Sequence, residues 1–312
     1  MKKLDRQYLI KDNKIKIFYV ILFLFFLSNN FLCVVNNSRI SFLELTPAAA
    51  VMLCVILNKS ESYPKRTFRY YLCYTSIYIF FCCLSSLIPI SLEVLYYFRI
   101  CSILGAWGFV LYIRLESKDM IERWNLGFGN IKTIVVYSFI YIIVRHGMFL
   151  LSNIENLSLL QILIKFRSIS FVNTCLLYST TFLYGFGEEY GWRFFLQPIL
   201  QKRYGKYFGI IVLGLIWSVW HTNFYKDDFL IYILPSTISC ICISFIFAYI
   251  YEQIKSIWGI AFIHFIHNQI GSNYYLAGDV NIYRLTLSIF ILTIPFLILY
   301  RKQASGVKES NI

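Results

Sequence analysis

Apolar runs long enough to cross a membrane recur along this chain, and they leave little choice of fold. They cover about 17–35, 40–57, 70–90, 94–113, 134–151, 171–200, 207–224, 229–251, 257–270 and 285–300. In hydrocarbon every backbone N–H and C=O must be satisfied within the protein, and a helix does this inside one segment. About 20 apolar residues span the ~30 Å hydrocarbon core. With 58% hydrophobic and only 14% charged residues, the composition excludes an ordinary soluble domain. The expected fold class is therefore all-α, a polytopic transmembrane helical bundle of about eight to ten helices.

The net charge of +13 does not describe a nucleic-acid arm, because the basic residues sit in gaps between apolar runs. Lys59, Lys65, Arg66 and Arg69 follow the second run, Arg114, Lys118, Arg123 and Lys132 the fourth, and Lys202, Arg203 and Lys206 the sixth. Lys255 follows the eighth, and Arg301 and Lys302 the tenth. The gaps after runs one, three, seven and nine carry few cations. This alternation follows the positive-inside rule and implies ten crossings with both termini cytoplasmic in a cell membrane, the second or ninth run being the weakest and able to be re-entrant. Asn30-Phe31-Leu32-Cys33 is not a signal-peptide cleavage site, so the first run reads as an uncleaved helix. Pro47 is expected to kink the second run. Residues 157–170, with Lys165 and Arg167, read as an interfacial helix, and the tail after Arg301 as disordered. None of the nine cysteines has CxxC spacing, and they read as small buried hydrophobes rather than a disulfide or zinc framework.

One run carries charges that hydrocarbon does not accommodate cheaply: Gly185-Phe186-Gly187-Glu188-Glu189-Tyr190-Gly191-Trp192-Arg193. A charge near the bilayer centre costs roughly 2.5 kcal/mol or more, so such residues face protein or a wet cavity. Glu189 and Arg193 are four apart and can pair on one helix face. Glu188 points about 100° away and is left for other work. Gly187 and Gly191 share a third face, where small residues let another helix approach. Helices six and seven turn near Tyr204-Gly205. Glu188 lies 13 residues before Gln201 and His221 lies 14 after Tyr207, so both sit roughly 20 Å from the turn at 1.5 Å per residue. On the ninth run His264 and Asn268, four apart, reach a similar depth. Three of the four histidines, His221, His264 and His267, thus fall on the seventh and ninth runs. For His267, on another face than Asn268, packing or hydrogen bonding is the expected role. Arg145 and His146, late in the fifth run, line the cavity or the outer interface.

Glu188-Glu189-x-x-x-Arg193, Trp217-x-x-x-His221 and His264-x-x-x-Asn268 resemble the three motifs of the CPBP (CAAX protease and bacteriocin-processing, or Abi) family of intramembrane endopeptidases. The resemblance covers about 171–270; Trp217 stands where the family usually has Phe. It implies a conical active-site cavity between the motif helices and peptide-bond hydrolysis by a glutamate-activated water. In that reading Glu188 is the general base, Arg193 orients Glu189, His221 positions the water, and His264 and Asn268 donate to the oxyanion. No cofactor is needed. The alternative uses Glu188, His221 and His264 as ligands of a catalytic zinc. A non-catalytic scaffold or bacteriocin self-immunity protein, and a proton-coupled transporter, are the readings from other classes. The expected partners are the lipid bilayer and a membrane-associated peptide or protein substrate, CAAX-type or a bacteriocin or pheromone precursor, with no nucleic acid. A bacterial source fits the Ile-, Lys-, Asn-, Tyr- and Phe-rich composition. The expected organisation is 1–156, N-terminal transmembrane helices; 157–273, the CPBP-like catalytic core; and 274–312, a last transmembrane helix with a basic cytoplasmic tail.

Overall fold

A computed structural model of the chain describes residues 12–36, 42–58, 62–88, 91–152, 182–222, 229–277 and 282–309. The described residues form α1 (Asp12–Asn36), α2 (Thr46–Leu57, entered by the 3-10 turn Leu43–Leu45), α3 (Lys65–Leu87) and α4 (Leu92–Arg114). There follow α5 (Lys118–Arg123), α6 (Ile131–Ser152), α7 (182–204), α8 (Lys206–His221), α9 (Phe229–Ile254), α10 (Ile257–Ala277) and α11 (Ile282–Glu309). No strand occurs among them. Every apolar run contains a helix. The addition is α5, short and polar, started by the Ser117 hydroxyl, which accepts from Met120 N at 3.3 Å and so caps one of the first turn's N–H groups.

The protein is a polytopic helical membrane bundle. Among the described residues, α1, α3, α4, α9 and α11 carry apolar stretches of 18, 23, 22, 25 and 21 residues, each long enough to cross a bilayer. Phe80, Leu104, Trp107 and Leu230 point outward with 61–73% of their surface exposed, which suits lipid and would promote association in water. The ten runs are not ten equal crossings. The 12 residues of α2 rise about 18 Å and the 16 of α8 about 24 Å, both short of the ~30 Å core. Nine of the α2 residues are buried, so this helix serves as packing core.

Two expectations change. Pro47 does not kink a long helix; it lies in the first turn of α2, where its missing N–H has no intrahelical partner to lose. The C-terminal tail is not wholly irregular, because α11 runs on to Glu309 through Lys302, Gln303 and Ala304, all good helix formers. The interfacial helix expected over 157–170 lies outside the described residues.

The helices group into two compact units. Among the described residues, the first takes α1–α5, α7 up to Ile199, and residues 256–261; the second takes α6, the end of α7, α8, α9, α10 from Phe262, and α11. In the first unit the small face of α7 does what its spacing implies. A Cβ on Gly187 would strike Glu44 O and Leu45 Cα, and one on Gly191 would strike Pro47. Gly185 likewise lets Ala261 O come within 2.8 Å of its Cβ position. Gly191→Val therefore overpacks the α2–α7 contact and costs about 1–3 kcal/mol, read as a lower melting temperature in detergent. The loop 124–128 is tied to the same core: Tyr190 Oη donates to Trp124 O at 3.2 Å, Trp258 Nε1 to Leu126 O at 2.9 Å and Ser256 Oγ to Phe128 O at 2.8 Å.

In the second unit the turn between α7 and α8 is made by Gly205, whose φ of +86° is a backbone state that side chains resist. Close by, Tyr300 Oη donates to Glu252 Oε1 at 2.7 Å and accepts from Gln201 Nε2 at 2.9 Å. Lys206 Nζ lies 3.5 Å from Glu252 and 3.6 Å from the centre of the Tyr300 ring. These contacts lock α7, α8, α9 and α11 together at one end.

Candidate active site

The sequence of α7 repeats every four residues, so each helix face has one character. Phe186, Tyr190 and Phe194 stack in a column, with ring centres 5.3 Å and 4.7 Å apart, and Phe186 stacks on Trp258 at 4.4 Å. Gly187 and Gly191 face α2. The remaining positions carry the polar chemistry, all of it buried: Glu188, Glu189 and Arg193 are 2%, 0% and 1% exposed. Arg193 Nε lies 3.0 Å from Glu189 Oε2, the pair that the four-residue spacing implies. Glu188 is not left alone by the helix: Trp192 Nε1, also four residues on, donates to its Oε2 at 3.3 Å. Two parallel four-residue links thus hold two neighbouring carboxylates, one by a cation and one by a neutral indole. Glu189 thus faces a cation, and Glu188 a neutral donor.

One feature of α7 has no counterpart in the sequence reading. Residues Tyr190–Leu196 are π-helical, beginning directly after Glu189. A π turn holds one residue more than an α turn, through i→i+5 hydrogen bonds, and such turns are frequent at functional sites. Trp192 escaped the sequence reading as well, though its signal was present: it bears to Glu188 the relation Arg193 bears to Glu189.

The second unit holds the other motif residues. His221 ends α8 and is exposed. Its Nδ1 lies 3.0 Å from Trp217 O. A carbonyl can only accept, so Nδ1 is the donor of that bond. Trp217 sets its ring edge against two histidines, His221 at 5.6 Å and 73° and His264 at 5.5 Å and 80°. Trp in place of Phe therefore still puts an aromatic ring against both histidines. His264 is 2% exposed and is backed by Phe247 of α9 at 5.3 Å; Asn268, one turn on, is half-buried. His267 turns to α6, where its Nδ1 and the Tyr141 hydroxyl hydrogen-bond. That is the hydrogen-bonding role expected for it. Arg145, one turn beyond Tyr141 on α6, is 2% exposed; the side chain of His146 lies outside the described residues. Within either unit taken alone, no three His, Cys, Asp or Glu side chains among the described residues gather into a metal-holding group.

Glu188, Glu189 and Arg193 thus belong to one unit, and His221, His264 and Asn268 to the other. Ionisable residues on apolar helices, rather than in loops, mark candidate functional sites. Residues 170–270 match the family model described as "Type II CAAX prenyl endopeptidase Rce1-like". The match spans about a third of the chain, and through this segment the chain is similar to the CPBP, or CAAX protease, family of membrane proteases. No curated protein matches the chain.

Proposed function

We propose that this protein is an intramembrane endopeptidase of glutamic type. Glu188 takes a proton from a water whose oxygen attacks the scissile carbonyl, and the proton passes to the departing amine as the C–N bond breaks. General-base assistance of this kind is worth about 10²–10⁴-fold. The Glu189–Arg193 pair keeps the second carboxylate from competing and fixes the helix turn that carries Glu188. His221 positions the attacking water. His264 and Asn268 donate to the oxyanion, a contribution of about 3 kcal/mol per donor in a dry site. The observation that carries this reading is the pair of buried carboxylates held by different partners, indole and guanidinium, inside the segment that matches the protease family.

The substrate is a membrane-associated peptide or protein, CAAX-type or a bacteriocin or pheromone precursor. The basic gaps support a cell-membrane location with both termini cytoplasmic, and the Ile-, Lys-, Asn-, Tyr- and Phe-rich composition supports a bacterial source. The test is cleavage of a membrane-embedded peptide library by the purified full chain in detergent, with and without a strong chelator. Cleavage that survives the chelator is expected. Cleavage lost to chelator and restored by zinc would transfer Glu188, His221 and His264 to a metalloprotease mechanism, and no cleavage of any peptide would remove the protease reading.

A further inference from the structure

We infer that Arg145 is the anion-receiving residue of the second unit, and that its ligand is a carboxylate of the peptide substrate. The inference rests on the protease reading for the identity of the ligand, not for the existence of the site.

Arg145 sits on α6, 2% exposed, with Nε and Nη1 buried and without a hydrogen-bond partner among the described residues. A guanidinium is always charged and holds five donors in one plane. Burying one without a counter-charge costs several kcal/mol. Among the described residues, the polar side chains the structure places near it, Tyr141 and His267, offer no counter-charge. Tyr141, one turn away, spends its hydroxyl on His267. His267 lies near Arg145, but an imidazole cannot neutralise a guanidinium. The aromatic rings in contact with His267, Tyr141 and Phe247, are uncharged. The pattern is that of a receptor whose acceptor comes from outside this set of residues.

The planar fork of donors best fits a two-oxygen acid, because carboxylate and guanidinium pair through two parallel bonds. The position of Arg145 points to the peptide rather than to lipid. From Arg145 the contacts run through Tyr141 to His267, which lies one turn from His264 and next to Asn268 on α10. A peptide whose scissile carbonyl is served by His264 and Asn268 would bring a carboxylate to Arg145 within a few residues, since an extended chain advances about 3.3–3.6 Å per residue. That carboxylate is either the free C-terminus of a short trailing segment or an acidic side chain next to the cleavage point.

The test separates binding from cleavage. A fluorescent, palmitoylated apolar pentapeptide is made in three forms: free acid, C-terminal carboxamide, and carboxamide with one internal Glu. Binding to the full chain carrying Glu188→Gln is read by anisotropy in neutral detergent. The free-acid or Glu form is expected to bind at least tenfold tighter than the plain carboxamide, and which of them does so identifies the source. Adding Arg145→Met should collapse that preference to near unity, whereas Arg145→Lys keeps the charge and should retain part of it; both are checked for a monodisperse size-exclusion profile. An acid preference that is absent, or that persists in Arg145→Met while Arg145→Lys is folded, overturns the proposal. So does Arg145-dependent binding of phosphatidylglycerol nanodiscs with no effect on peptides, which would make the ligand a lipid phosphate. The acid preference without any library cleavage would remove the protease reading and leave the anion site; cleavage indifferent to the carboxylate would do the reverse.

Discussion

Glu188→Gln is expected to lower kcat by about 10²–10⁴-fold, the range for loss of a general base, with the fold intact. The amide is isosteric, and its carbonyl can still accept from Trp192 Nε1, which now donates to Glu188 Oε2 at 3.3 Å. Nothing in the packing of α7 has to move. What disappears is the oxygen that takes a proton from water. Single-turnover cleavage of the best library peptide measures the loss, and Trp fluorescence with size-exclusion profiles verifies the fold. Retention of more than a tenth of wild-type turnover would disqualify Glu188 as the base and turn attention to His221.

The second large effect is on stability. Arg193→Gln removes one half of an ion pair in which both side chains are wholly buried, 3.0 Å apart. Breaking such a pair from one side costs about 3–5 kcal/mol, because the surviving charge keeps its burial and loses its partner. Melting in detergent should fall by on the order of 10 °C, and activity with it. The double variant Glu189→Gln/Arg193→Gln removes both charges and should recover part of the loss, a coupling that separates the pair from two independent contacts. If Arg193→Gln costs under about 1 kcal/mol, solvent reaches the pair and Glu189 is not held by it. The two predictions distinguish the carboxylates: one loses chemistry on a sound fold, the other loses the fold that carries the chemistry.

Much of this was legible in the chain. The apolar runs gave the helices, because hydrocarbon allows a backbone few other ways to satisfy itself. The four-residue period of α7 gave the Glu189–Arg193 pair and the glycine face toward α2, because neighbours on a helix surface are neighbours in sequence. The same locality explains the histidines: His264 and Asn268 share a face, and His267 does not. Local rules reach no further. That α2 is a short buried core helix begun by Pro47, rather than a kinked crossing, depends on what packs around it. That α7 turns π-helical at Tyr190, where Trp124 and Pro47 pack against Tyr190 and Gly191, is not written in the four-residue period. That Trp217 stands edge-on to both His221 and His264, and that Arg145 lies buried beside the Tyr141–His267 contact, joins positions scores of residues apart. Spacing along one helix is a property of sequence. Which side chains share a buried charge's surroundings is a property of packing between helices, and here only the tertiary structure decided it.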